Sequence, residues 1–152
     1  EKFINKHFSI KKKMKTQKVV FDTSVAIKWF FPEKGKDQAM ALRKRHIENQ
    51  IILCTRDLFL YEFVSALKNY SEPKIDDKDF LLAQKAIESL RITLFPLVYE
   101  ELPELFSLSR KLNISIYDSS YILLAEKHSM IFYTADRKLY PAAKKTVSTI
   151  LI

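Results

Sequence analysis

The sequence predicts an α/β fold, with a mostly parallel central sheet covered by helices on both faces. Three observations carry that expectation. From Lys18 onward, short apolar runs of strand type alternate with longer runs of helical spacing, and such alternation implies right-handed crossovers between parallel strands. At 152 residues and 47% hydrophobic content, the chain suits one domain with one ordinary core. No internal repeat or low-complexity linker interrupts residues 18–152.

Each element follows in order. "KVVF" is a strand, and "TSVAIKWFF" a short helix stopped by Pro32, which cannot continue one. "DQAMALRKRHIENQ" is a helix and "IILC" the second strand. In "LFLYEFVSALKNY" apolar residues at 60, 63, 64 and 67 keep helical spacing. "SEPKIDD" makes a turn and opens a helix running to about Leu90, and "RITLFPL" is strand-like. "YEELPELFSLSRKLN" and "YDSSYILLAEKHS" are helices, "MIFYT" is a strand, a short helix follows Asp136, and "VSTILI" is the closing strand.

Composition narrows the chemistry. A net charge of +8 ordinarily points to nucleic acid. Half of that excess sits in residues 1–13, where Lys2, Lys6, Lys11, Lys12 and Lys13 face only Glu1. Residues 1–17 are therefore expected to be a basic tail outside the fold, either disordered or left over from expression, with Met14 a candidate initiator. Residues 18–152 are expected to form the domain. A single cysteine, Cys54, excludes an internal disulfide and fits a reducing, cytoplasmic setting. No run of about 18 apolar residues exists to span a membrane. The lone glycine, Gly35, excludes the glycine-rich dinucleotide and P-loop motifs. His7, His46 and His128 lack zinc-ligand spacing, and no G-x-S-x-G elbow is present. His46 and His128 are expected at the surface or at helix caps. Catalysis, if any, falls to carboxylates.

Four carboxylates stand out. In a parallel sheet the carboxyl ends of the strands form one rim, where ligands usually bind. Asp22 ends the first strand, Asp136 follows another in "FYTADRKL", and Asp118 opens the helix of "SIYDSSYILLAE". Glu62 lies inside a helix among Phe59, Phe63 and Ala66, where a buried carboxylate calls for a cation or a proton. The plainer alternatives are that the three aspartates cap helices and that Glu62 pairs with a surface Lys or Arg. The acids of "DDKD" and of "EELPE" (Glu100, Glu101, Glu104) need no role beyond complementing a helix dipole. "WFFP" belongs to a core or a subunit contact.

The order of these pieces resembles a PIN domain, and more narrowly the VapC-type toxin ribonucleases. A strand runs into "FDTSVAIKWFFPE", a glutamate follows in an amphipathic helix, and "YDSSYILLAEKHSMIFYTADRKL" supplies the last two acids. The resemblance covers Lys18 to about Ala143. It implies a PIN-like three-layer α/β/α sandwich that hydrolyses RNA with Mg²⁺, for which Mn²⁺ substitutes. Asp22 and Asp118 would be the principal metal ligands, with Glu62 and Asp136 completing the pocket directly or through water. Ser24 and Thr134 match the family's small polar positions and would orient ligands or water. Ser65 stands where many relatives carry Asn. The same likeness implies a cognate antitoxin and a homodimer.

Hard carboxylate oxygens suit Mg²⁺, which keeps several of its waters and works with substrate phosphate. Two rival functions remain. A phosphatase of the haloacid-dehalogenase type also begins with Asp at the end of its first strand, but needs a second Asp where Ser24 stands. A basic RNA-binding or partner-binding module would use the acids only as caps, which leaves Glu62 without an explanation.

Overall fold

The computed structural model of the chain describes residues 15–152; Lys2, Lys6, Lys11, Lys12, Lys13, Met14 and His7 lie outside the described residues, and Gln17, expected in the tail, already belongs to the first strand. β1 (Gln17–Phe21) occupies the centre of a five-stranded sheet. β2 (Ile51–Arg56) and β3 (Thr93–Phe95) lie successively on one side of it, and β4 (Ile131–Thr134) and β5 (Thr149–Leu151) on the other. The order is β3-β2-β1-β4-β5, and every pairing is parallel. The chain therefore builds outward through β2 and β3, then returns to β1 to lay down β4. The gap between β1 and β4 is the point where strand order reverses, and in such sheets a crevice opens there beyond the carboxyl ends.

Successive residues of the central strands serve opposite faces, as the pleat requires. Val19, Phe21, Leu53 and Tyr133 face one core, while Val20, Cys54 and Phe132 face the other. The first face is covered by α1 (Thr23–Ile27), α2 (Lys36–Ile47), α3 (Leu58–Lys68) and α4 (Asp77–Leu90). The second is covered by α5 (Leu102–Leu112), α6 (Ile116–Lys127) and the short α7 (Tyr140–Ala143). This is the three-layer α/β/α sandwich expected. Strands so enclosed can be apolar throughout, which is why they read as solid runs.

Local differences from the expected elements have local causes. The helix after Asp22 ends at Ile27, well short of Pro32. Beyond it, Trp29 and Phe30 hydrogen-bond three residues back, to Ala26 and Ile27. The tighter turn sends Trp29 into the core, where its Nε1 donates to the Ala39 carbonyl at 2.9 Å and its ring meets Phe21. Trp29 and Phe31 are both buried, so "WFFP" is core. Gly35, the lone glycine, begins α2 at φ 86°, and a Cβ there would meet Ile152 backbone at 3.1 Å. β2 continues past Cys54 because Thr55 and Arg56 pair with β3.

Two side chains play larger parts than expected. His46 is half-buried: its Nδ1 accepts from Leu53 N–H at 3.2 Å, which leaves Nε2 to donate to the Leu90 carbonyl at 2.7 Å. It thus stitches α2 to β2 and to the end of α4. Glu101 is no solvated dipole partner. It closes a 3₁₀ turn (Tyr99–Glu101) ahead of α5 and is 4% exposed. Both its oxygens take the Arg56 guanidinium fork, at 2.9 and 3.1 Å. The turn breaks off from α5 because that side chain reaches back to Arg56 and to the Val98 N–H.

Removing one partner of such a pair strands a buried charge. Glu101→Leu is therefore expected to destabilise the protein by about 3 to 5 kcal/mol in urea unfolding. Acid should have a related effect, because the Arg56 hydrogen bonds hold the Glu101 carboxyl down at about 2 from an ordinary 4.5. A depressed carboxyl contributes its stability fully above the unfolded value and loses it as pH falls through the folded one. Unfolding free energy measured from pH 5 down to pH 2 should drop less steeply in Glu101→Leu than in the wild type.

Candidate active site

Asp22 follows β1 directly and opens α1 with extended backbone (φ −102°, ψ 174°). The cap expected from its residue type is real: Oδ1 accepts from the Ser24 N–H at 3.0 Å. The carboxylate does more than cap, because it is only 6% exposed and hydroxyls hold both oxygens. Ser24 Oγ donates to Oδ1, and Thr134 Oγ1, from the end of β4, donates to Oδ2 at 2.5 Å. Each hydroxyl also accepts a backbone N–H from the "TAD" segment, Ser24 from Ala135 at 2.8 Å and Thr134 from Asp136 at 3.1 Å. A hydroxyl that accepts from an amide on one side keeps its own proton for the carboxylate on the other. Ser24 and Thr134 are thereby fixed as donors to Asp22 across the β1–β4 gap.

Asp136 is half-buried and its Oδ1 accepts from the N–H groups of Lys138 and Leu139 at 2.8 and 3.1 Å, a local cap. Asp118 is different. Ser115 takes the capping position of α6, its Oγ accepting from Asp118 N–H at 3.0 Å, so the Asp118 carboxylate sits in the first turn without being the cap. Glu62 projects from α3 to meet two hydroxyls on one oxygen. Thr23 donates to Oε2 at 2.7 Å and Tyr121 at 2.8 Å. The surface-pair alternative for Glu62 is not what the structure contains. Among the described residues, no Lys or Arg forms an ion pair with Asp22, Glu62, Asp118 or Asp136.

The electrostatics follow from burial, with no cation alongside to offset it. Burial pushes the Asp22 carboxyl up from 3.8 to about 7; the Ser24 and Thr134 hydrogen bonds oppose the rise, and the charges of Asp118 and Glu62 add to it. Burial also raises Asp118, with Ser115 opposing and the Asp136 charge adding. The four acids are thus one electrostatic neighbourhood. Among the described residues, however, no three Asp, Glu, His or Cys side chains stand close enough to hold a metal ion between them as they are. The donor chemistry nonetheless suits a hard divalent cation that binds through one or two carboxylates and retains water.

Two participants escaped the sequence reading. Tyr121 lies three residues after Asp118, on the same face of α6, and that spacing was a usable signal. Thr23 adjoins Asp22, but its bond to Glu62 spans 39 positions and left no local trace.

An all-parallel α/β sandwich with acids grouped at the carboxyl edge is a PIN-like fold. The chain belongs to the PIN domain family, whose profile matches residues 19–145. Among curated proteins it is similar to Ribonuclease VapC3 of Pyrobaculum aerophilum, with 27% identity over 124 residues, covering 80% of this chain and 92% of that protein. Among solved structures it is similar to the crystal structure of PAE2754, also from Pyrobaculum aerophilum. That likeness has a TM-score of 0.60 at 19% identity and covers 88% of this chain and 90% of the other, which bears on the fold alone.

A carboxyl group raised by burial contributes stability that is complete below its unfolded value and disappears as pH rises through the folded one. With chelator present, the protein should therefore be more stable at pH 5 than at pH 8, by a few kcal/mol. Asp22→Asn should flatten most of that slope and exceed the wild type in stability at pH 8. Urea unfolding in EDTA at the two pH values checks both outcomes.

Proposed function

We propose that this protein is a divalent-metal-dependent endoribonuclease, the toxin of a toxin–antitoxin pair, acting in the cytoplasm. The observation that carries the proposal is Asp22: a nearly buried carboxylate at the β1–β4 gap, with hydroxyls on both oxygens, other acids around it and no cation. A carboxylate in that setting takes up either a proton or a metal ion. The name of the curated relative, Ribonuclease VapC3, favours RNA as substrate and a toxin's role.

In this reading Asp22 and Asp118 are the principal ligands, and Glu62 and Asp136 act directly or through water. Mg²⁺, or Mn²⁺ in its place, would acidify water as nucleophile and offset charge developing on the phosphate. Ser24 and Thr134 hold the Asp22 carboxylate in one orientation through bonds to both oxygens. Thr23 and Tyr121 both donate to Oε2 of Glu62, so Oε1 is the oxygen left to accept from a ligand or water. Arg137 and Lys138, exposed just past Asp136, supply positive charge for the RNA backbone.

Two partners belong to the same proposal. An apolar groove of about 350 Å³, lined by Phe30, Phe31, Pro32, Leu67, Ile75 and Leu82, suits a short apolar antitoxin segment. A homodimer would cover the exposed rings of Tyr61, Tyr99, Phe106 and Tyr117.

RNA cleavage by the purified protein should require Mg²⁺ or Mn²⁺ and stop in EDTA. Asp22→Asn and Asp118→Asn should each abolish it while retaining a cooperative melting transition. Cleavage surviving in either variant, after removal of contaminating nuclease, would displace these residues from the site. Glu62→Gln should keep its hydrogen-bond acceptor yet lose much of the rise in melting temperature that millimolar Mn²⁺ gives the wild type.

A further inference from the structure

We infer that Arg56, with Glu101 as its counter-charge, is a positioning residue that sets where Asp118 stands relative to Asp22. The inference rests on the metal-dependent reading above and adds a residue to it.

Arg56 is the last residue of β2, two positions beyond Cys54, just as Asp22 is two beyond its strand partner Val20. It is 1% exposed. Its neighbour Thr55 donates from Oγ1 to the Phe21 carbonyl at 2.8 Å, tying β2 to the residue before Asp22. The Arg56 Nε donates at 2.9 Å to the carbonyl of Ser120 in α6, two residues from Asp118 and one from Tyr121. One terminal nitrogen also reaches the Pro96 carbonyl at 3.2 Å. Glu101, which grips the guanidinium fork, stands 3.5 Å from Lys127 Nζ at the far end of α6. One charge pair thus holds α6 at Ser120 and at Lys127, while adjacent residues of β2 hold the strand end that presents Asp22.

Apolar packing cannot do that alone. Leu123, Leu124 and Ala125 keep α6 against the sheet and Tyr121 donates to Glu62 at 2.8 Å, but apolar attraction has no preferred direction, and a single hydroxyl bond leaves the helix a pivot. A planar fork with its donors aimed at separate acceptors admits one arrangement. Asp118 lies half a turn from the Ser120 carbonyl, so any slide or roll of α6 moves its carboxylate by a similar amount. Groups that orient a metal ligand without touching the ion typically change affinity or activity by about 10- to 100-fold when lost. A buried ion pair is a poor source of net stability, because desolvation offsets its attraction. Positioning is the role that remains.

The test uses the full chain with Arg56→Met/Glu101→Leu, an apolar replacement of similar shape, and with Arg56→Lys, which keeps the charge but not the fork. Melting curves in EDTA and across a Mn²⁺ titration give folding and ion affinity, and kcat and KM on RNA are measured separately. Both variants should melt cooperatively in EDTA, bind Mn²⁺ at least tenfold more weakly and lose kcat with KM little changed. If the double variant does not fold, Arg56→Lys decides. Wild-type Mn²⁺ affinity and kcat in a folded variant overturn the inference, as does failure of both to fold, which would make the pair purely structural. A wild type whose melting ignores Mn²⁺, or a Mn²⁺ shift that survives Asp22→Asn, instead overturns the metal reading and this inference with it.

Discussion

Asp22 must keep a carboxylate in a place nearly closed to water, and the surrounding structure is arranged around that constraint. Phe21 and Val25 are fully buried on either side of it, so the chain cannot swing the side chain out to solvent without opening the core. Strand order then supplies what burial takes away. Because β4 lies beside β1, Thr134 and the "TAD" backbone arrive level with Asp22, and two hydroxyls replace the lost hydration. Their bonds are too few to make ionisation easy, which is why the group remains poised near neutrality.

The same molecule contains the opposite solution. Glu101 is as deeply buried as Asp22, yet its carboxyl is held far down because a guanidinium lies against it. Two acids of similar exposure thus differ widely in proton affinity, and the difference is made chiefly by the Arg56 guanidinium, with Lys127 and the Val98 N–H adding to it. The paired acid is inert and serves the frame. The unpaired one keeps a raised affinity for a proton.

What was legible in the sequence was what short range determines. The apolar strand runs, the helical spacing around Glu62, the aspartate at the end of a strand and the acids capping α4 all follow from neighbours in the chain. The reversal of strand order between β1 and β4 does not, since it depends on which edge of the sheet the later strands join. Nothing in the local sequence singled out Arg56, because its partners lie 40 to 64 positions away. Glu101 was misjudged for the same reason: three acids around the start of a helix look alike until one of them turns inward. His46, read as a surface or cap residue, likewise bridges segments far apart in sequence.

The placement of β4 also has a consequence for how the protein is made. Asp22 is synthesised early, but the hydroxyl on its second oxygen belongs to residue 134, and the strand that closes that side of β1 comes with it. A growing chain that has completed β2 and β3 therefore still has an open hydrogen-bonding edge along β1 and a half-held carboxylate at its end. Ribosome-bound and prematurely released chains lack the assembled acidic edge however well their first half has folded. The order of synthesis therefore keeps the acidic edge unassembled until residue 134 has been added.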